Sequence, residues 1–127
     1  MTDPIAPFGK AKYLNLETFR KTGAGVRTPV WFAPGASSQL TFYIYSEADA
    51  GKVKRIRNDP KVRMAPCNFR GDVRGAWVEG RARLCAEDEV ALGQKLLRRK
   101  YGLLKVVGDF FSRLMGHKQC VIAIEVG

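Results

Sequence analysis

A mainly β protein, an antiparallel barrel or strongly coiled sheet, is predicted by three features of the chain. Six segments carry β-type patterning, most of them joined by connections of hairpin length. One short helix stands between the third and fourth segments, and a helical pair stands before the last. A doubly wound sheet would need helices alternating with strands throughout, and that alternation is missing. The chain carries neither an internal repeat nor a low-complexity tract.

Residues 1–12 contain Pro4, Pro7 and Gly9 and read as an irregular lead-in with room for one helical turn. Tyr13 to Arg20 forms the first predicted strand, Gly23-Ala24-Gly25 a turn, and Val26 to Ala33 a second strand rich in β-branched and aromatic residues. Pro34 to Ser38 breaks it. In Leu40 to Ser46, Leu40, Phe42 and Ile44 share one face and Thr41, Tyr43 and Tyr45 the other. Lys61 to Cys67 returns as a strand. After a loop containing Gly71 and Gly75, Trp77 to Cys85 alternates Val78, Gly80, Ala82 and Leu84 against Glu79, Arg81 and Arg83. Glu87-Asp88-Glu89 opens a helix and Arg98-Arg99-Lys100 closes it near Tyr101, matching the helix dipole at both ends. Phe110, Phe111 and Leu114 recur at helical spacing within Val106 to Met115, and Lys118 to Val126 is the final strand.

The segment that carries most chemistry is Gly51 to Pro60. Val53 and Ile56, three residues apart, share a helical face that can seal onto a sheet, which leaves Lys52, Lys54, Arg55 and Arg57 to point outward. Unpaired N–H groups at the start of such a helix add to the lysine charges and make an anion cradle. Asn58-Asp59-Pro60 stops the helix, because proline disfavours helical geometry in the residue before it. Nearby, Thr28-Pro29-Val30-Trp31 puts a flat indole on a strand where Pro29 removes a ladder donor, the pattern of an edge or a barrel mouth. Tyr43 and Tyr45 lie on the strand that leads into the basic helix, so a flat heterocycle resting there would bring its phosphate to the helix start.

Composition supports an acidic partner. The 127-residue chain fits one domain over 1–127, with 46% hydrophobic and 27% charged residues. Its net charge is +10, and residues 51–74 hold eight Lys/Arg against Asp59 and Asp72. Such a field gathers anions. Lys95, Arg98, Arg99, Lys100 and Lys105 form a second basic group. No apolar run approaches the roughly 20 residues a membrane span requires. Met1-Thr2-Asp3-Pro4 lacks the features of a secretory signal, and Cys67, Cys85 and Cys120 are odd in number and widely spaced, so a cytoplasmic protein with reduced thiols is expected. Zinc spacing, Walker, GxGxxG, GxSxG and HExxH motifs are all missing, and the carboxylates fall on separate elements. With a single histidine, His117, acid–base equipment is sparse, which points to reactivity borrowed from a cofactor.

Taken in order, Tyr13 to Arg20, Thr28 to Phe32, Gly51 to Pro60, Ala65-Pro66-Cys67 and Trp77 to Ala82 resemble the pyridoxamine 5'-phosphate oxidase-like split-barrel superfamily. Within it they are most similar to the branch of oxidoreductases that use the deazaflavin coenzyme F420. The resemblance covers residues 12–126 and implies a six-stranded split β-barrel that forms a homodimer with two cofactor clefts between subunits. It implies that Ser46, Lys52, Lys54 and Arg55 hold the cofactor phosphate and that Thr28, Pro29, Val30 and Trp31 border its rings. Pro66, Cys67 and Trp77 would complete the cleft, Trp77 from the partner subunit.

Members of the superfamily bind FMN, the deazaflavin or haem, so scaffold alone does not choose among them. The deazaflavin, with a phosphodiester and several glutamates, spreads more negative charge over greater length than FMN, and two separate basic segments suit it. The expected reaction is hydride transfer to a small electron-poor substrate such as an enone, a quinone or a tetrapyrrole like biliverdin, with Tyr43 or Tyr45 as candidate proton donors. An FMN-dependent oxidase is the alternative. A nucleic-acid-binding barrel, with Trp31, Phe42, Tyr43 and Tyr45 stacking bases, and a haem-binding barrel using His117 are the alternatives from another class.

Overall fold

The computed structural model describes residues 6–9, 11–35, 41–47, 50–101 and 119–126; the helix expected over 106–115 and His117 lie outside them. After a 3-10 turn at Ala6–Gly9 come strands β1 (Tyr13–Phe19), β2 (Gly25–Val30), β3 (Phe32–Pro34) and β4 (Thr41–Glu47). Helix α1 (Gly51–Asn58), β5 (Lys61–Cys67), β6 (Val78–Leu84), helix α2 (Glu87–Tyr101) and β7 (Gln119–Val126) follow. The strands form one antiparallel sheet in the order β2-β1-β5-β6-β7-β4-β3. Among the described residues no helix is long and apolar enough to cross a membrane.

The sheet has seven strands where six are predicted, and the difference lies at Trp31. Val30 pairs with Leu14 of β1, whereas Phe32 pairs with Ile44 of β4. The predicted second strand is therefore two strands at opposite ends of the sheet, joined through one residue. Consecutive Cα atoms are only about 3.8 Å apart, so the two edges must approach each other, and the sheet curls into a barrel left open along a seam.

Inside the curl, Leu14, Leu16, Phe32, Phe42, Ile44, Val62, Met64, Ile122 and Ile124 pack with Val53 and Ile56 of α1, and Phe8 caps one end against Phe32 and Phe42. Of the faces read from alternation, the one carrying Phe42 and Ile44 on β4 and the one carrying Val78, Ala82 and Leu84 on β6 turn toward this core. The other face of β4 and β7 is covered too: Ala33, Tyr43, Tyr45, Val121 and Ala123 pack against Leu96 and Leu97 of α2. Gly93 lets α2 come this close, since a Cβ there would stand 2.7 Å from Val121 Cγ1. Tyr43 is consequently sealed under α2 at 6% exposure, where burial raises its hydroxyl pKa.

Candidate functional site

Helix α1 follows β4 and packs against β1 and β6. Its N-cap, Ala50, is extended and offers no side-chain cap; its carbonyl accepts from the N–H groups of Val53 and Lys54. Val53 and Ile56 are buried, Lys52 and Arg55 half-buried, and Lys54 and Arg57 exposed. Arg55 is held in a definite pose. Its Nε donates to Thr18 Oγ1 at 2.6 Å, and its Nη1 would stand 2.9 Å from a Cβ placed on Gly51. The guanidinium thus folds back over the first turn of its own helix, into space that only a glycine leaves vacant. Burial, and then the positive charge of Arg20, lower the Arg55 pKa from its ordinary value. Cations are stacked against the partial positive charge of an uncapped helix start, an arrangement that an anion relieves.

Beside this turn lies a cleft of about 360 Å³, lined by Thr28 to Trp31 on β2 and its exit, Tyr13 of β1, Tyr45 of β4 and Lys52 of α1. It sits at the seam, where β4 runs past the end of β3 and faces β2. Tyr13 and Trp31 pack at 6.4 Å between ring centroids, giving the cleft an aromatic wall. Tyr45 accepts a hydrogen bond from Gln94 Nε2 at 2.8 Å, which fixes its ring from the α2 side.

Thr28, Pro29, Val30, Trp31 and Lys52 are therefore brought together as expected, and Arg55 stands at the same helix start. Ser46 is buried opposite Cys120 in the β4–β7 ladder. Burial raises the Cys120 pKa, opposed by the charges of Arg57 and Lys52, which locates Ser46 and Cys120 near the basic helix. Lys54 is exposed and does not line the cleft. Pro66 and Cys67 line a second cleft, which among the described residues shares only Tyr13 with the first. Trp77 lines neither. Its ring stacks under the guanidinium groups of Arg27 at 4.6 Å and Arg63 at 5.0 Å, and both arginines bind Glu17, at 2.9 and 3.1 Å. Among the described residues no group of His, Cys, Asp and Glu could hold a metal ion.

Sequence reasoning missed Tyr13 as a wall and Thr18 as the residue that orients Arg55. Tyr13 was accessible in principle, because Leu14 pairing with Val30 brings the start of β1 beside Pro29 and Trp31.

No family model matches the chain, and no curated protein does. Solved structures do. A candidate 5-nitroimidazole antibiotic resistance protein from Bacteroides thetaiotaomicron aligns over 99% of this chain and 81% of its own, with a TM-score of 0.72 at 12% identity. A candidate pyridoxamine 5'-phosphate oxidase from Listeria innocua aligns over 96% of this chain and 89% of its own, with a TM-score of 0.66 at 15% identity. The fold is the split barrel of the pyridoxamine 5'-phosphate oxidase-like proteins. The haem storage protein HutZ from Vibrio cholerae shares it, over 95% of this chain and 85% of its own, with a TM-score of 0.70 at 12% identity. One split-barrel scaffold thus carries neighbours with different ligands, and the choice for this chain rests on its own residues.

Proposed function

We propose that this split barrel is an oxidoreductase that holds coenzyme F420 in the seam cleft and promotes hydride transfer to an electron-poor conjugated substrate. The observation that carries the reading is the uncapped start of α1, with Lys52 beside it and Arg55 folded over it, opening onto a cleft walled by Tyr13 and Thr28 to Trp31. Those residues fit a planar ring system with a phosphate attached: the Arg55 guanidinium over Gly51 and Lys52 stand at the helix start, and Lys52 shares its cleft with the aromatic wall. When bound, the deazaflavin supplies hydride chemistry at its C5.

The chain's own contribution is positional and electrostatic. Lys52, Arg55 and the first N–H groups of α1 grip the phosphate, with Ser46 and Lys54 as further candidate holders, while Thr28 to Trp31 set the plane of the rings. The surrounding cations stabilise negative charge as it develops on the acceptor. Tyr45, which lines the cleft where Tyr43 does not, is the candidate proton donor. A homodimer would add the partner subunit's surface to each cleft. Trp77 takes part in that arrangement only if it contacts the neighbouring subunit beyond its stack on Arg27 and Arg63.

The net charge of +10 favours the longer, more acidic deazaflavin over FMN, which remains the second reading on the same phosphate grip. Fluorescence titration with each cofactor separates them. F420 is expected to bind the more tightly, and a Lys52→Ala/Arg55→Ala double variant is expected to lose at least tenfold in affinity. A charge-assisted bond to phosphate is worth about 1–3 kcal/mol. Reduced F420 is then to be assayed against an enone, a quinone and a tetrapyrrole. Tighter FMN binding supports the oxidase-type alternative, a Soret band in purified protein supports haem binding, and salt-sensitive binding to single strands without cofactor affinity supports a nucleic-acid barrel.

A further inference from the structure

The second cleft, about 430 Å³, adjoins the first at Tyr13, which lines both. Its body is apolar: Ala11, the Tyr13 ring, Pro66 and the Cys67 thiol, with Phe69 as a further wall. Pro66 and Cys67 are buried at the end of β5. Burial, and then the Asp72 charge, raise the Cys67 pKa, so the thiol stays neutral at physiological pH. Phe69, on the β5–β6 connection, is 64% exposed, more than any other large hydrophobic side chain among the described residues. A large ring left in water beside a buried apolar floor marks a place where a ligand gains by covering both.

The connection that carries Phe69 is fastened within itself and to the first cleft. Asn68 Oδ1 accepts from the N–H groups of Arg70 and Asp72 at 2.9 and 3.0 Å, and the Arg74 N–H donates to the Pro66 carbonyl at 2.7 Å. Gly71, at φ +89°, makes a turn that a side chain would resist, and its carbonyl accepts from Asn15 Nδ2 of β1 at 2.9 Å. Asn15 pairs with Pro29 of β2, and a Cβ placed on Gly71 would stand 3.9 Å from Pro29 Cγ and Cδ. Pro29 is itself a wall of the first cleft. The loop that holds Phe69 at one cleft therefore rests on the wall of the other, and the two clefts are joined at Tyr13 and at the Gly71–Pro29 contact.

Charge does not choose the ligand of this cleft. Lys12 and Arg74 stand among the lining residues while the Asp72 carboxylate acts on Cys67, so both signs are present. The apolar floor does choose, because a charged group seated on it would lose its hydration. We propose that the second cleft receives an uncharged aromatic arm of the substrate, seated on Pro66 and Cys67 against Phe69, while the group to be reduced lies past Tyr13 in the first cleft. This deepens the oxidoreductase reading and rests on it. Phe69 becomes a specificity-determining residue, favouring substrates that carry an apolar arm over compact ones. The volume suits an arm of two fused rings, and contact with the Phe69 ring adds to the gain from apolar burial.

Binding is tested by titrating 2-naphthylmethanol into 15N-labelled protein without cofactor. Saturable shifts are expected at the amides of Tyr13 and of residues 67–74. Phe69→Ala is expected to weaken the probe about tenfold, with amides elsewhere unmoved, which reports an intact fold, and Phe69→Tyr to restore it. Lys52→Ala, which weakens the cofactor grip, is expected to leave this titration unchanged. Specificity is tested with cyclohex-2-enone and its 4-(2-naphthylmethyl) derivative, each taking a hydride at the β-carbon and a proton at the α-carbon as the reduced cofactor is oxidised. The methylene keeps the arm out of conjugation, so the two enones differ in binding rather than in reactivity. The derivative is expected to be favoured about tenfold in kcat/KM, and Phe69→Ala to remove that preference while leaving the rate on cyclohex-2-enone and the cofactor affinity unchanged. No saturable shift in the loop, or equal kcat/KM for the two enones in protein that binds its cofactor, would overturn the proposal. So would loop amides that shift with protein concentration and ignore the probe, since a second copy of the chain would then cover the cleft. Saturable probe binding in protein with affinity for neither F420 nor FMN would instead overturn the cofactor reading, and the assignment to a substrate arm with it.

Discussion

Thr18 follows Leu14 and Leu16 on the inward face of β1 and is 1% exposed, yet it carries a hydroxyl. Its Oγ1 accepts from Arg55 Nε, thirty-seven residues away in sequence, and so sets where the guanidinium stands over Gly51. Thr18→Val keeps the shape and removes the acceptor. Cofactor affinity is expected to fall three- to tenfold with little change in melting temperature, because a hydrogen bond to a charged group is worth about 1.5 kcal/mol or more and Arg55 can reach water instead. Thr18→Ser is expected to restore it; equal loss in both variants would mean that Thr18 acts through packing alone. That Lys52 and Thr28 to Trp31 stand together at one cleft was legible in the sequence, from the Pro29 strand and the basic helix. Glu17 was not. Its carboxylate, 6% exposed, takes Arg27 and Arg63, and both guanidinium groups stack on Trp77. Only the β1 register brings those three elements together, so Trp77 read from sequence as a cleft residue although its observed contacts are to the two arginines that bind the buried Glu17.

At the scale of elements, helix α2 rests on β4 and β7 through a glycine. Gly93→Ala should favour the isolated helix by about 1 kcal/mol. Against that, the new methyl meets Val121 Cγ1 at 2.7 Å, and Val121 is a stiff β-branched neighbour. Overpacking of this kind costs about 1–3 kcal/mol, so the net effect is destabilising, read as a lower urea midpoint with an unchanged slope. The same helix is tied to β6 by Arg83, whose Nη1 and Nη2 donate to the two Glu89 oxygens at 2.6 and 2.8 Å. That fork holds the Glu89 pKa below its ordinary 4.5. The unfolded chain then binds the proton first on acidification. The stability advantage of wild type over Glu89→Gln is expected to be full above that ordinary value and to vanish as pH falls through the lower folded one. Urea midpoints along a descending pH series check it. Element types were readable from periodicity: α1, β5 and the start and end of α2 fall where hydrophobic spacing and end charges put them. The division of the second strand at Trp31 was not, because Val26 to Ala33 is continuous in β propensity and the break is imposed by which edge each half pairs with.

For the whole molecule, one topological fact generates the site. Edge strands joined through a single residue force the sheet to curl, the curl leaves a seam, and α1 puts Val53 and Ile56 into the core and Lys52 into the cleft beside Thr28 to Trp31. A charge of +10 on 127 residues makes a field that favours the approach of anions. The antiparallel barrel could be inferred from local patterning, whereas the two clefts on either side of Tyr13 depend on closure and emerge only from the assembled fold. The most direct measurement is a crystal structure grown with oxidised F420. The account predicts the phosphate against Lys52, Arg55 and the first turn of α1, with the rings along Thr28 to Trp31. The carrier docked elsewhere, or Lys52 and Arg55 turned into ion pairs with carboxylates of the protein, would contradict it.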